Sequence, residues 1–538
     1  METMDSLKKI YKSFFKNNIF TYITLVICLF LYECGILFLY NHLGKLIDYV
    51  IYNKVEEINI LGEIILILCL LFILIVLGLL HKHIDFSLSN QGLIYVERAI
   101  LDNIIHTEYE LVMNYDKIQL AQQINNDCVI VMDYQVSQRP TYWVTLLKLG
   151  IIMGLIGFYS IPASLALFVC SILFIFLYVV AQRRYENLNK EMIDSQSQYF
   201  RVLGGELLNI FLVKINSWYA RTIKRFSCSG NIFVKKSVRF LDFDFFLTNF
   251  TKILSLACTF GLPLLLILLS PNNITGIFSI VALTQLYFPA LEIVVEQFKK
   301  RSRCHVAQRR LDSLITLSKE PWGNQTTQKI RKISIENVTF KYNRSPKNIL
   351  QDFSYCFYSN HIYLLMGDNG SGKSTFLNLL LGLLEPSSGA IQINGDALRK
   401  YNLDVLRAEK ISYCEQEPYL IPGSILDNLS YGLSPNSADF SYSLLEFVQH
   451  MPNGLSTEIS TGSHNLSGGQ KQRIALSRCF AKTCADVMIF DEPTSALDKQ
   501  GICDFIHMLQ VYKKGRIIIV VTHDPDLISI ADDVIRLS

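Results

Sequence analysis

Charge is scarce in this chain. Asp, Glu, Lys and Arg make up 18% of its 538 residues, and the formal balance is only +3. A balance this close to neutral says little about partners and lends a nucleic-acid reading no support, so no nucleic-acid partner is expected. The 13 cysteines form no C-x-x-C pair, so the spacing of a metal site is missing. Several of them (Cys28, Cys69, Cys170, Cys258) lie inside apolar runs and read as small buried hydrophobes of a reducing compartment. Neither half of the sequence repeats the other. Two long polar segments, 82–141 and 182–244, contain too little Gly and Pro for a loose linker and read as helices. What is abundant is apolar surface: 50% of residues are hydrophobic and the mean hydropathy is +0.28. Membrane spans are therefore expected, in a chain too long for one ordinary domain.

The apolar runs concentrate before residue 295. Six stretches of about 20 residues, the length a bilayer requires, run near Ile19–Tyr40, Ile60–Leu80, Tyr142–Tyr159, Ile161–Ala181, Phe245–Leu269 and Ile274–Val295. The first is too long for a signal-peptide core and lacks a small-residue cleavage site, so it reads as an uncleaved span. Lys8, Lys9, Lys12 and Lys16 precede it. Arg183, Arg184, Arg221, Lys224, Arg225, Lys235 and Lys236 lie between the fourth and fifth stretches, and Lys299, Lys300, Arg301 and Arg303 follow the sixth. The short connections Ser160–Ile161 and Ser270–Asn273 carry no charge. The positive-inside rule then predicts cytoplasmic termini and long inner segments. A polar stretch with Pro321 and Gly323 predicts a domain boundary: a membrane domain over 1–317, a linker over 318–329 and a second domain over 330–538.

That second domain carries the chemistry. Gly367-Asp368-Asn369-Gly370-Ser371-Gly372-Lys373-Ser374 fits G-x-x-x-x-G-K-[ST], between an apolar strand-like run and a helix-like run. Such a loop wraps backbone N–H groups around phosphate oxygens, and a helix N-terminus adds positive potential. Lys373 is expected to reach the β- and γ-phosphates and Ser374 to ligate Mg²⁺. Downstream stand Leu466-Ser467-Gly468-Gly469-Gln470, the apolar run Val487–Phe490 ending in Asp491-Glu492, and His523 after the run Ile517–Val521. Taken alone, Asp491-Glu492 reads as a solvated acidic pair and His523 as an ordinary histidine. Together with the loop they do not.

On these residues the chain resembles the ATP-binding-cassette family. Leu466 to Gln470 looks like the cassette signature, Val487 to Glu492 like its Walker B strand, and Ser495-Ala496-Leu497-Asp498 like its D-loop. Gln416 looks like the Q-loop glutamine and His523 like the switch histidine. Tyr342 sits where the family places an adenine-stacking aromatic, with Phe340 as its core neighbour. The resemblance implies ATP and Mg²⁺ as cofactors. Glu492, His523, Gln416 and Lys373 would be catalytic, and Ser374, Gln416 and Asp491 would lie around the metal. Gly367, Asn369 to Thr375 and Tyr342 would bind ATP. It further implies composite sites, in which Leu466, Ser467, Gly468, Gly469 and Gln470 act in trans, so a second half-transporter chain is required. Intact hydrolytic residues favour a homodimer over a heterodimer. Thr461 departs from the family, standing where exporters carry an acid before the signature.

Short outer connections and long inner helices resemble the exporter-type membrane domain. The stretches Gln122–Asp127 and Glu206–Lys214 carry weaker local likeness, with Asn209 where Gly is usual. The expected fold is an α-helical six-span bundle with long cytosolic helical extensions, followed by an α/β P-loop cassette. The implied protein is a multi-pass half-transporter of a bacterial cytoplasmic membrane. Its expected cargo is amphipathic: a small peptide or bacteriocin first, a hydrophobic drug next, a lipid third. No peptidase-like stretch precedes the first span, so a peptide cargo is expected to lose its leader elsewhere. Ionisable residues in apolar runs are costly in lipid and often line a cavity. Glu33 and Lys148 are candidates for it, while Glu63, Lys252 and Glu292 read as interfacial or ion-paired. An ATP-gated channel or sensor is the alternative from another class, and an importer subunit fits the fused order less well.

Overall fold

The computed structural model describes residues 5–51, 60–113, 115, 117–269, 277–320, 323–342, 347–368, 370–430, 443–460 and 465–537. Asn369, Thr461, the connection 270–276 and Pro321 therefore lie outside the described residues. The chain divides into two compact units, one of 1–105 with 116–316, the other of 106–115 with 317–538.

The first unit is helical. In order come α1 (Asp5–Asn17), α2 (Ile19–Ile51), α3 (Ile60–Ile105), α4 (Tyr109–Met113), α5 (Lys117–Asp133), α6 (Arg139–Tyr159), α7 (Ile161–Leu208), α8 (Ile210–Ile215), α9 (Tyr219–Leu269) and α10 (Ile277–Ile315). Of these, α4 belongs to the second unit. The helix α1 shows why pattern becomes structure: Leu7, Tyr11 and Phe14 recur at helical spacing and are buried, while Lys9, Lys12 and Lys16 are exposed. Among the described residues, five helical runs are long and apolar enough to cross a membrane: α2, α3, the run through α5 and α6, α7 and α10. The sixth expected stretch, 245–269, forms the end of α9, where several side chains lie outside the described residues. Between α6 and α7 only Ser160 intervenes, in an extended conformation, its hydroxyl accepting from the Ala163 amide. The expected extensions are helical as well: α7 continues to Leu208, and α9 starts at Tyr219. A π-helical turn, Tyr134–Gln138, joins α5 to α6.

Large apolar side chains such as Phe20 (84% exposed) and Phe158 (88%) point outward, as lipid-facing residues must. Inward, Ile152, Ile156, Leu167, Leu283 and Phe288 knit α6, α7 and α10 together. Lys148 donates to the Glu33 carboxylate at 2.6 Å, linking α6 to α2. His42 and Glu63 pair at 2.7 Å across α2 and α3. Each contact gives polar groups in a membrane segment a partner.

Among the described residues, the second unit holds three sheets, with strands β1 (Lys332–Phe340), β2 (Leu350–Tyr358), β3 (His361–Gly367), β4 (Ser388–Ile393), β5 (Asp396–Ala397), β6 (Ile411–Cys414), β7 (Gly423–Ser424), β8 (Glu458–Ile459), β9 (Val487–Asp491), β10 (Ile517–Val521) and β11 (Asp533–Leu537). An antiparallel sheet has the order β2-β1-β4-β5, and a parallel one the order β11-β3-β10-β9-β6. The third pairs β7 with β8. The central parallel strands are buried along nearly their whole length, which fits a sheet covered on both faces. Strand alternation divides them between two cores: Tyr363, Leu365, Ile489, Ile519 and Val521 enter one, Ile362, Leu364, Met488, Phe490, Ile518 and Val520 the other. Each such side chain contributes about 1.5–3 kcal/mol of burial.

The turn His106–Tyr115 is tied to the start of this unit. The Glu108 amide donates to the Ser318 carbonyl, and the Glu320 amide to the His106 carbonyl, both at 3.0 Å.

Candidate active site

Parallel strands carry their loops to one edge of the sheet, and ligands bind outside the carboxyl ends of such strands. In register, Val521 of β10 lies beside Leu365 of β3 and Asp491 of β9, and Cys414 of β6 beside Phe490. The loops that follow bring the phosphate loop, Thr522-His523, Glu492 and Gln416 to that edge.

The loop after β3 turns into a helix, Lys373–Leu380, whose N-cap is Gly372. Gly370 and Gly372 have φ of +86° and +95°, the left-handed region open to glycine. A Cβ on Gly367 would stand 2.5 Å from the Leu537 carbonyl oxygen, so only glycine fits between loop and β11. The Lys373 ammonium donates to the Gly367 carbonyl at 2.7 Å and lies 3.1 Å from Nε2 of His523. Ser371 Oγ is buried with no hydrogen-bond partner among the described residues. Tyr342 follows β1 directly, edge-on to Phe340, with its hydroxyl 3.2 Å from that of Thr375.

Facing the loop are the acids. Gln416 Nε2 donates to Glu492 Oε2 at 3.4 Å, and His523 Nε2 lies 3.8 Å from Glu492 Oε1. Glu492 occupies the left-handed region at φ +46°, which a glutamate enters only when its surroundings hold it there. One restraint is visible: its amide donates to the Val521 carbonyl at 2.9 Å. Asp491 is buried, 6% exposed. Burial, then the neighbouring Glu492, raise its carboxyl above the ordinary range, and Lys373 opposes them. The Asp491 carboxylate, the Ser374 hydroxyl and the Gln416 amide oxygen are all oxygen donors, the chemistry that suits a hard cation such as Mg²⁺.

The signature residues meet a different set of side chains. Ser467 caps the helix Gly468–Ala481 in a reciprocal box: its hydroxyl accepts from the Gln470 amide at 3.3 Å, and Gln470 Oε1 accepts from the Ser467 amide at 2.9 Å. Leu466 is buried. Gly469 lies so close to Ala496 that a Cβ would stand 2.8 Å from its carbonyl oxygen. In the D-loop, the Ser495 amide donates to the Glu492 carbonyl, and Asp498 caps the next helix, accepting from the Gly501 amide at 2.9 Å and from Arg473 at 2.5 Å. Those two donors hold the Asp498 carboxyl below its usual range. Ser467, Gly469 and Gln470 border an open groove of about 490 Å³, together with Ala496, Asp498 and Gln500 and with Glu446, Phe447 and His450. Sequence reasoning singled out the signature and missed the last three, which carry no local motif.

In the first unit, the two candidate cargo residues, Glu33 and Lys148, are partners of one another.

Residues 350–495 match the model of the ABC transporter family. The ATP-dependent lipid A-core flippase of Burkholderia thailandensis is 26% identical over 465 residues, 84% of this chain and 77% of the flippase. That of Alkalilimnicola ehrlichii is 27% identical over 369 residues, 66% of this chain and 62% of the flippase. The pediocin PA-1 transport/processing ATP-binding protein PedD of Pediococcus acidilactici is 25% identical, over 82% of this chain and 63% of its own length. In fold, the chain is similar to a bacterial Atm1-family ABC exporter solved with ATP bound, with a TM-score of 0.82 at 17% identity, over 97% of this chain and 94% of that one. A helical multi-pass membrane region is followed in one chain by an ATP-binding domain of the ABC transporter family, and the relatives and fold of the chain are those of ABC exporters.

Proposed function

We propose that two copies of this chain form an ATP-hydrolysing pump that exports an amphipathic substrate across a cytoplasmic membrane, with the termini and the ATP-binding domain on the cytoplasmic side. The observation that carries this reading is the division of the site. Lys373, His523, Gln416 and Glu492 converge, whereas Ser467, Gly469 and Gln470 border a separate groove. One chain's phosphate loop then needs the signature of a second. The exposed apolar tip around α8 (Leu208, Phe211, Ile215, Trp218) also suits a second chain.

Each residue has a task the geometry suits. The loop amides and Lys373 bind and neutralise the β- and γ-phosphates. Glu492, within reach of Gln416 and His523, orients and deprotonates the attacking water. His523 steadies the γ-phosphate. Ser374, Asp491 and Gln416 would hold Mg²⁺, which supplies charge neutralisation when bound. Positioning and electrostatics carry most of phosphoryl transfer, so this cluster is sufficient in kind.

For cargo, the relatives' names speak of a lipid A-core and of pediocin, both amphipathic. A small peptide remains the first candidate, and lipid flipping is the second reading, favoured by the flippase likeness. The test is ATP turnover by the chain alone in lipid nanodiscs, beside Glu492→Gln. Turnover that falls at least a hundredfold in the variant, with ATP still bound, supports the reading. Near-normal turnover in Glu492→Gln would remove Glu492 from the chemistry.

A further inference from the structure

Two thiols meet in the core beside the site. Cys414 ends β6, two residues before Gln416, and Cys479 lies in the helix that Ser467 caps. Strand alternation turns Ile411 and Tyr413 to one core and Cys414 to the other, where Cys479 also packs. The end of that helix is fixed on β6 at two points. The Ser412 hydroxyl donates to the Cys479 carbonyl at 3.0 Å, and the Lys482 ammonium donates to the Ile411 carbonyl at 2.5 Å. Cys414 and Cys479 are both buried, and they share a side-chain hydrogen bond. Neither belongs to the phosphate loop, the signature or the acidic strand end.

We propose that Cys414 and Cys479 form a redox modification site: hydrogen peroxide closes them into a disulfide, which arrests ATP turnover until a thiol reductant opens it. This rests on the ATPase reading above and adds its regulation. The Cys414 S–H donates to Cys479 and holds that thiol below its usual range against the cost of burial, and Arg478 and Lys482 act in the same direction. Cys479 is therefore the sulfur that attacks. Its thiolate takes one peroxide oxygen as the O–O bond breaks, becoming a sulfenic acid, and the released hydroxide recovers the proton that Cys479 lost. The Cys414 sulfur then attacks Cys479, and the sulfenic oxygen leaves as water with the Cys414 proton. Two thiols are oxidised to one disulfide, and one peroxide is reduced to two waters. Access comes through the strand. β6 has 4 residues, lies at the edge of its sheet and runs into the exposed Gln416. Short edge elements open locally without global unfolding, which admits a molecule as small as peroxide. The new bond pulls the end of β6 toward the helix, and a displacement of Gln416 by about 1 Å can cost about a hundredfold in rate.

The test is peroxide treatment of the full chain in nanodiscs, followed by ATP turnover and a non-reducing peptide map. Wild-type turnover should fall about tenfold or more, in step with a peptide pair joined through Cys414 and Cys479, and should recover with dithiothreitol. Cys414→Ala and Cys479→Ala should each keep turnover within about twofold before and after peroxide. Cys414→Ser, closer in shape, gives a second comparison where an alanine variant folds poorly. Removing exposed thiols instead, by Cys484→Ala and Cys503→Ala, should leave the inhibition intact. A joined pair without loss of turnover, inhibition with no joined pair, or inhibition that survives in both alanine variants overturns the switch. No turnover by the reduced wild-type chain overturns the ATPase reading instead, and the peptide map still decides whether the bond forms.

Discussion

Arg407 joins the turn His106–Tyr115 to the phosphate loop through very few atoms. Its guanidinium donates to the Glu320 carboxylate at 2.8 Å, to the Leu381 carbonyl at 2.9 Å and to the Gly382 carbonyl at 2.8 Å. Leu381 and Gly382 end the helix that Lys373 begins, where a cation is favoured by the exposed carbonyls. Glu320 in turn donates its amide to His106. Arg407→Met keeps the length of the stem and removes all three donors. The Glu320 side chain is only 8% exposed and the Arg407 side chain 24%. Breaking a buried pair on one side costs about 3–5 kcal/mol. Partial solvent at the guanidinium and the other contacts of Glu320 reduce this to about 3 kcal/mol, roughly a 150-fold shift in a local opening equilibrium. Hydrogen exchange on the full chain in nanodiscs should show amides of Phe376–Leu381 exchanging on the order of a hundredfold faster. Because most of that loss is a stranded carboxylate, adding Glu320→Gln should recover about half of it in free energy. Exchange within threefold of wild type, or a double variant no better than the single, would refute the tie.

Three further outcomes are expected. Gly372→Ala forces a Cβ into the left-handed region and to 2.6 Å from Ile349 Cγ2, so it should weaken ATP binding at least tenfold at about 1–2 kcal/mol of strain, read by equilibrium nucleotide binding. The carboxyl of Glu108 is raised by burial, then by Glu385, Glu110 and Glu320. The folded turn therefore favours its protonated form: that stabilisation is complete below about pH 4 and is lost as pH rises through the raised value. Proteolysis of His106–Tyr115 should grow over that window in wild type and stay flat in Glu108→Gln. Glu33→Gln and Lys148→Gln should each lower the thermal stability of the chain more than the double variant does, since either alone strands one member of the 2.6 Å pair. Equal loss in all three would assign the pair no mutual role.

Local patterns explain why so much was legible in the sequence. A phosphate loop, a glycine-rich signature and an apolar strand ending in acids are each written within a few residues, and the structure forms a loop, a helix start and a strand there. The length of the apolar runs likewise marked α2, α3, α6, α7 and α10. What lay hidden depends on residues far apart in sequence. Nothing near Glu492 announces φ of +46°, because the restraint comes from Val521 across the sheet. The π-helical turn at Tyr134–Gln138 has the same composition as ordinary helix. Glu320 and Arg407 are 87 residues apart. Glu446 and His450 acquire meaning only from the groove that tertiary packing places beside them.

The pairing of Glu33 with Lys148 changes what a cargo site in this bundle must look like. Two ionised residues deep in apolar helices each suggest a charged cavity, but a carboxylate and an ammonium at 2.6 Å offer almost no net charge to a ligand. The recess beside them is bordered by Phe30, Cys34, Leu37, Val144 and Ile151, all apolar or weakly polar. A cargo site at this depth would then offer apolar contact with one polar, neutral seam, and a charged head group would gain little there. That combination suits an amphipathic molecule whose charge stays at the membrane surface. On the proposed export reading, cargo would be ranked by the size and shape of its apolar part before its sign of charge.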